Sequence, residues 1–223
     1  MRKIAQIVDG EIITMSIGAS KNPIIIEEVL GVPLSKENKE FEMGVFRVSQ
    51  NNRIIECVAI YAGLPKDKTV KAIPVRIHSG CVTSEVFGSD RCDCAWQLHH
   101  ALNLIEERKH GILIYIAADE GRNVGLTTKV RSFLLLDRGA TIAESCQILG
   151  IPQDARDYRA ATAVLKRLGV TDIELITNNP DKVACAEAAG LRVVCRIPTI
   201  MEPSSAHIRH YLEMKRDQFG HFI

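Results

Sequence analysis

The chain has no uncharged apolar stretch near the roughly twenty residues that a bilayer crossing requires, so no membrane span is expected among its 223 residues. It has no excess of charge either. Lys and Arg number 28 against 27 Asp and Glu, a net charge of +1, which argues against a protein that coats nucleic acid and leaves open only a local basic pocket. An even, spaced set of cysteines is also missing. There are seven, and Cys57, Cys146, Cys185 and Cys195 lie inside apolar runs, the pattern of buried thiols in a reducing compartment rather than of a disulfide framework. The start, MRKIAQIVDGEIITM, is basic, but Asp9, Gly10 and Glu11 interrupt its apolar run. That argues against a signal peptide, and the expectation is a cytoplasmic protein. Neither an internal repeat nor a low-complexity segment is present. With 46% hydrophobic and 25% charged residues, the composition suits one large or two small globular units with a real core.

What is there is concentrated in short segments. Cys81, Cys92 and Cys94 fall within HSGCVTSEVFGSDRCDC. One residue between Cys92 and Cys94 does not make a zinc-finger knuckle, which takes about two to four. Three close thiols read as an open site, with three protein ligands and a fourth position for water, the arrangement of a hydrolytic zinc centre. The competing reading is three small apolar residues brought together by chance; the flanking Arg91 and Asp93, between turn residues and a helix, weigh against it. His78 could close the site as a fourth ligand, but its strand points it away from Cys81, so a supporting or core role is expected.

Residues 1–40 form an N-terminal extension of unreadable role, in which short apolar runs alternate with Pro, Gly and charge. From Phe41 onward VFRVS, IIECVAIYA and VKAIPVRI are β-branched runs separated by turn-rich segments, which predicts a small antiparallel sheet or partial barrel. Apolar residues at helical spacing predict a helix from Cys92 to about Lys109, stopped at His110-Gly111. A buried strand follows at 112–118, then helices at 124–138, 141–149 and 158–168. Strands at 173–177 and 191–197 flank a helix at 180–189, and a polar helix spans 204–218. This alternation implies an α/β layer. The fold class is therefore mixed α/β, with residues 41–223 as a single compact catalytic domain.

Three further segments carry chemistry. In DEGRNVGL (119–126), Gly121 and Gly125 permit a tight turn into a helix whose free N–H groups, with Arg122, suit an anion such as phosphate; a plain strand-to-helix turn is the alternative. Glu120 beside an anion site is awkward, yet it could accept two N–H donors from a guanine edge. In DARDY (154–158), Asp154 could cap the next helix, and Arg156 with Asp157 could be a surface pair. In ITNNPDK (176–182), Thr177, Asn178 and Asn179 can bind a ligand or cap the helix opened by Pro180. Lys182 would then sit in a first turn, where a cation is unfavourable without a bound anion.

With RIHSGC, RCDC, EGRNVGL, DARDY and TNNPDK in this order and spacing, the chain resembles GTP cyclohydrolase II of riboflavin biosynthesis over roughly residues 41–223, through the tail HYLEMKRDQFGHFI. The resemblance implies a homodimeric, zinc-dependent, Mg²⁺-assisted hydrolase that opens the imidazole ring of GTP and releases formate and pyrophosphate. It implies zinc on Cys81, Cys92 and Cys94, and nucleotide binding by Arg76, Gln97, Glu120, Arg122, Thr177 and Lys182. It makes Asp154 a proton acceptor and Arg156 a nucleophile. That last role is chemically difficult, because a guanidinium stays protonated; a cationic clamp is simpler.

The chain also departs from the family pattern. Gly80 stands in place of a glutamate, and Thr83-Ser84-Glu85 in place of TGD. Phe133 occupies the position of a catalytic tyrosine and can neither donate nor accept a proton. Ile142 replaces a threonine. The metal and phosphate residues are intact while the surroundings of the base are altered. Two alternatives to the full reaction follow: a product that stops at a formamidopyrimidine nucleotide, or a pocket refitted for another nucleotide such as a uracil derivative. A non-catalytic GTP-binding regulator and a protein with a purely structural zinc are the remaining readings.

Overall fold

A computed structural model describes residues 2–8, 11–17, 22–36, 39–64, 72–203 and 206–222. β1 (Arg2–Val8) and β2 (Glu11–Ile17) pair antiparallel as a separate two-stranded sheet. The remaining described strands are β3 (Ile24–Lys36), β4 (Lys39–Gln50), β5 (Arg53–Ala62), β6 (Ile73–Ser79), β7 (Gly111–Ile116), β8 (Asp172–Ile176) and β9 (Arg192–Ile197). They form one seven-stranded sheet in the order β3-β4-β5-β7-β6-β8-β9. Its first half, β3 to β7, is antiparallel, and its second half, β7 to β9, is parallel.

The mixed α/β class is as expected, but the antiparallel strands are neither a separate sheet nor a partial barrel. β5 continues directly into β7, from Cys57 opposite Ile116 to Ala62 opposite Gly111. β7 is apolar along its whole length (GILIYI), which suits a strand covered on both faces, so it can join the two halves. β3 lies within the stretch read as an N-terminal extension and forms the sheet edge beside β4.

The helices are α1 (Val82–Glu85), α2 (Cys94–Arg108), α3 (Glu120–Asn123, a single distorted turn), α4 (Leu126–Leu136), α5 (Ile142–Leu149), α6 (Arg159–Arg167), α7 (Pro180–Ala188) and α8 (Ala206–Phe219). Ala160, Ala161, Val164 and Leu165 of α6 and Ala186 of α7 share one core with Ile77, Ile112, Ile114 and Leu175 of the sheet. Ala101 and Ile105 of α2 share a second core with Leu113 and Ile176. No helix among the described residues is long and apolar enough to cross a membrane.

The layering decides where chemistry can occur. β6, β7 and β8 run parallel, so the segments after Ser79, Ile116 and Ile176 leave the sheet at one common edge, the carboxyl edge where open α/β sheets hold ligands. Those segments carry the thiols, the EGRNVGL turn and the TNNPDK turn.

Candidate functional site

Cys81 immediately precedes α1, and Cys92 and Cys94 lie at the start of α2. Their three sulfurs lie within 4.8 Å of one another, with 3.6 Å between Cys81 Sγ and Cys92 Sγ. Two thiolates on one tetrahedral zinc at a bond length of ~2.3 Å would be about 3.8 Å apart, so the trio can hold a metal ion. The protonation pattern reflects this closeness. Hydrogen bonds from Cys92 and Cys94, aided by Lys129, draw the Cys81 thiol far below its ordinary value, while Cys81 pushes Cys92 and Cys94 up. One thiolate forms readily and the next two resist, as close sulfurs sharing hydrogen bonds must. His78 is not part of this cluster.

The loop is anchored by contacts that involve no sulfur. The Gly80 N–H donates to Ile116 O (2.9 Å), the Ala95 N–H to Ser84 Oγ (3.2 Å), and the Val82 N–H to Glu120 Oε2 (2.6 Å). Glu120 uses its other oxygen on Lys129 Nζ (2.7 Å) and its neighbour's Gly121 N–H (3.0 Å). Lys129 Nζ also reaches Cys81 Sγ (3.0 Å). Glu120 is thus a tether for the thiol loop, and Lys129, unmarked in the sequence beyond being a cation one turn into α4, bridges the two.

The turn after β7 is strained. Gly121, Arg122 and Asn123 all lie in the left-handed region, at φ of 62°, 59° and 66°, which costs roughly 1 kcal/mol for each non-glycine residue. The DARDY loop holds it: Asn123 Nδ2 donates to Ala155 O (3.0 Å), Arg122 Nη1 to Gln153 O (3.1 Å), and the Ala155 N–H to Arg122 O (3.2 Å). Helix α4 begins only at Leu126.

Arg76, Gln97, Thr177 and Lys182 converge on one cavity, which Arg122 and Arg156 also line. Arg76 Nη2 donates to Gln97 Oε1 (2.5 Å) and Nη1 to Ile176 O (2.9 Å). Gln97 Nε2 donates to Asp93 Oδ2 (2.6 Å), and Lys215 Nζ to Asp93 Oδ1 (2.7 Å). Burial lowers Arg76 to about 10, with Asp93 opposing. Lys182, whose Nζ donates to Ile77 O (2.8 Å), is held well below its ordinary value by burial and then by Arg76 and Arg156. Cations crowded and buried in this way are costly by themselves and are favoured by anionic groups. Thr177 Oγ1 accepts from the Asn179 N–H (3.0 Å) and keeps its own O–H to donate. Asn179 caps α7, its side chain accepting from Asp181 N (2.8 Å), with Pro180 at the first helical position.

Asp154 does not cap α6; Asp157 accepts from Arg159 N (3.1 Å) at that helix start. Asp154 folds back on its neighbour, accepting from the Arg156 N–H (3.0 Å), from Nε at both oxygens, and from Nη2. Although burial acts to raise it, these bonds hold the Asp154 carboxyl below its ordinary value. They likewise keep the Arg156 guanidinium raised against burial. The neighbouring carboxylate Asp119 behaves differently. It faces the thiol-lined cleft, accepts from Ser79 Oγ (2.8 Å), and is raised by burial. Only its place at the head of DEGRNVGL could have flagged it.

That cleft is lined by Cys81, Cys92, Asp119, Phe133 and Ile142 among others. It shares Arg122, Arg156 and Tyr211 with the cation-lined cavity, so a thiol end and a cationic end adjoin across these three side chains. Phe133 lies under the guanidinium of Arg91, 4.9 Å from its ring centre.

Gly80 and Glu85 belong together. A Cβ at Gly80 would lie 2.8 Å from Tyr115 Oη and 3.2 Å from Ala117 Cα. The Tyr115 hydroxyl donates to Glu85 Oε2 (2.7 Å), and Glu85 Oε1 meets His78 Nε2 at 2.8 Å. The bare glycine leaves room for the phenol that Glu85 holds. Gly80→Ala is expected to destabilise the protein by about 1–3 kcal/mol, lowering its thermal unfolding midpoint by roughly 2–10 °C. Adding Tyr115→Phe should recover part of the loss; a midpoint unmoved by Gly80→Ala would show that the contact relaxes freely.

Comparison with known proteins adds independent findings. The family model described as GTP cyclohydrolase II matches residues 27–198. The riboflavin biosynthesis protein RibBA of Aquifex aeolicus is 39% identical over 183 residues, covering 81% of this chain and 44% of that protein. RibBA of Phocaeicola vulgatus is 36% identical over 203 residues, 91% of this chain and 49% of that protein. A probable bifunctional riboflavin biosynthesis protein, RIBA 2, of Oryza sativa is 40% identical over 167 residues, 75% of this chain and 30% of its own length. The chain thus spans half or less of the length of these relatives.

Proposed function

Because the chain belongs to the GTP cyclohydrolase II family, we propose that it hydrolyses GTP, opening the imidazole ring and releasing formate and pyrophosphate, as in the first step of riboflavin biosynthesis. The observation that carries this is a pair of adjoining cavities, with a three-thiol donor set at one end and crowded buried cations at the other, meeting at Arg122 and Arg156. A nucleoside triphosphate laid along them would set its base near the thiols and its phosphates among Arg76, Arg122, Lys182 and Thr177.

The metal proposed is zinc on Cys81, Cys92 and Cys94, with Mg²⁺ accompanying the triphosphate. Zinc held there supplies Lewis acidity and makes a water nucleophilic near neutral pH. The protein's own residues then bind and orient. Arg76 and Lys182, both buried, favour a polyanion strongly, and Arg156 stabilises charge on the departing pyrophosphate. Gln97 aims Arg76, and Glu120 with Lys129 positions the thiol loop. Arg156 as a nucleophile would need a neutral guanidine, and its pairing with Asp154 works against that. With both oxygens committed to Arg156, Asp154 is a weak base; Asp119, facing the cleft with a raised value, suits proton acceptance better. The catalytic unit is taken to begin with β3, an edge of the same sheet and the strand within which the family match begins, with a second copy of the chain as partner.

One observation favours a second reading. Phe133 and Ile142, which stand where the family carries hydroxyls, both line the cleft. The reaction could therefore end at a formamidopyrimidine nucleotide, or the pocket could accept another base. The test is incubation of the purified protein with GTP, Zn²⁺ and Mg²⁺, followed by formate assay and mass spectrometry. Formate equal to GTP consumed supports the full reaction. A ring-opened nucleotide that keeps its formyl group supports the second reading, and Phe133→Tyr should then restore formate release. Unchanged GTP would sink the proposal.

A further inference from the structure

The family match ends at residue 198, yet the cation-lined cavity is closed by residues beyond it: Tyr211, Lys215, Phe219 and His221. We infer that α8 and the residues after it are part of the substrate site, with Lys215 and His221 as further ligands for the terminal phosphates. This rests on the nucleotide reading above.

The segment is fastened in place by specific contacts. Lys215 and Asp93 form a buried ion pair, with side-chain exposures of 11% and 0%, and Lys215 Nζ lies 4.7 Å from the Tyr211 ring centre. The Phe219 ring lies beneath the guanidinium of Arg122, at 4.5 Å. Gly220, at φ 61°, then turns the chain. The Phe222 N–H donates to Asn178 O (2.9 Å) and its ring lies beneath Arg196 at 4.8 Å. The tail is therefore stitched onto the same turn that presents Thr177.

Two features of this wall call for an anion. Asp93 takes one of the three donors of Lys215, leaving the ammonium able to serve a second oxygen. His221 Nδ1 is buried and has no hydrogen-bond partner among the described residues, although buried polar atoms almost always have one. It lines a cavity shared with Arg76, Arg156, Lys182 and Lys215. A phosphate oxygen there would pair with the imidazole and offset the surrounding cations. Burial, with Lys215, Arg156 and Lys182, lowers His221 to about 3.

The experiment compares binding of inorganic tripolyphosphate, guanosine and GTP to the full-length protein and its variants by calorimetry. His221→Phe is expected to weaken tripolyphosphate and GTP binding about tenfold or more while guanosine binding stays unchanged. Lys215→Met alone would strand the Asp93 charge, so it is paired with Asp93→Asn. That double variant is expected to lose tenfold to a hundredfold in tripolyphosphate affinity, with unfolding midpoints recorded to show that it folds. Tripolyphosphate bound equally by His221→Phe and the unaltered protein would overturn the assignment of the C-terminal wall alone. An unaltered protein that binds neither GTP nor tripolyphosphate would overturn the nucleotide reading with it.

Discussion

Removing the metal with a chelator, or replacing Cys94 with serine, is expected to cut GTP turnover by more than about a thousandfold while far-ultraviolet circular dichroism stays unchanged. The loss follows from the chemistry, since nothing else on the cleft wall can activate water to the same degree. The retained fold follows from the anchoring of the ligand loop. Gly80 is tied to β7, Val82 to Glu120, Ala95 to Ser84, and Asp93 to Lys215 on α8. Arg91, beside Cys92, is paired with Asp137 through both nitrogens at 2.8 Å. None of these contacts needs the metal. A structural zinc behaves oppositely, because its binding energy is folding energy. Loss of helical signal on chelation would make the site structural, and full turnover by Cys94→Ser would remove the trio from the mechanism.

The stability of that loop was not legible in the sequence, although its thiols were. Spacing alone brought Cys81, Cys92 and Cys94 forward, since three soft donors so close have few other uses. β6, β7 and α2 were equally plain, because GILIYI is an unbroken apolar run, IPVRI is broken only by Arg76, and α2 repeats its apolar residues every three or four positions. β3 was not. Gly31 and Pro33 interrupt it, and its pairing with β4 shifts register between Ile25 and Glu27 and again between Val29 and Val32, so no strict alternation survives to be read. The union of the two halves of the sheet depends on β5 lying beside β7, a long-range pairing that local pattern does not encode.

Local pattern failed within the site for the same reason. In DARDY each aspartate stands two residues before an arginine, and only the fold shows that Asp154 takes Arg156 while Asp157 takes Arg159. Lys215 and His221 lie in a polar helix and its tail, where a solvated surface is the natural expectation; burial against Asp93 gives them their meaning. Glu120 reads as a partner for base edges because it follows a strand beside an anion-binding turn, and the fold adds contacts that no local pattern shows, to the Val82 and Gly121 N–H groups and to Lys129.

Asp119→Asn is expected to lower kcat/KM for GTP by about 10²- to 10⁴-fold and to remove the acid limb of its pH profile. A proton acceptor works only when ionised, so the rate climbs as pH rises through its pKa. Burial raises Asp119, with Ser79, Arg156 and Lys182 opposing, so the limb should lie above the ordinary carboxylate range. Asp154→Asn should act in another way. Arg156 would lose its paired acceptors and its fixed place between the two cavities, lowering the rate roughly a hundredfold at every pH. Because Arg156 holds Asp154 below the ordinary range even against burial, Asp154 is already ionised wherever the enzyme works, and neutralising it leaves the limb where it was. Rate profiles for the two variants from pH 4 to 9 separate the roles. A limb that persists in Asp119→Asn and vanishes in Asp154→Asn would return proton acceptance to Asp154 and leave Asp119 as a support for Ser79.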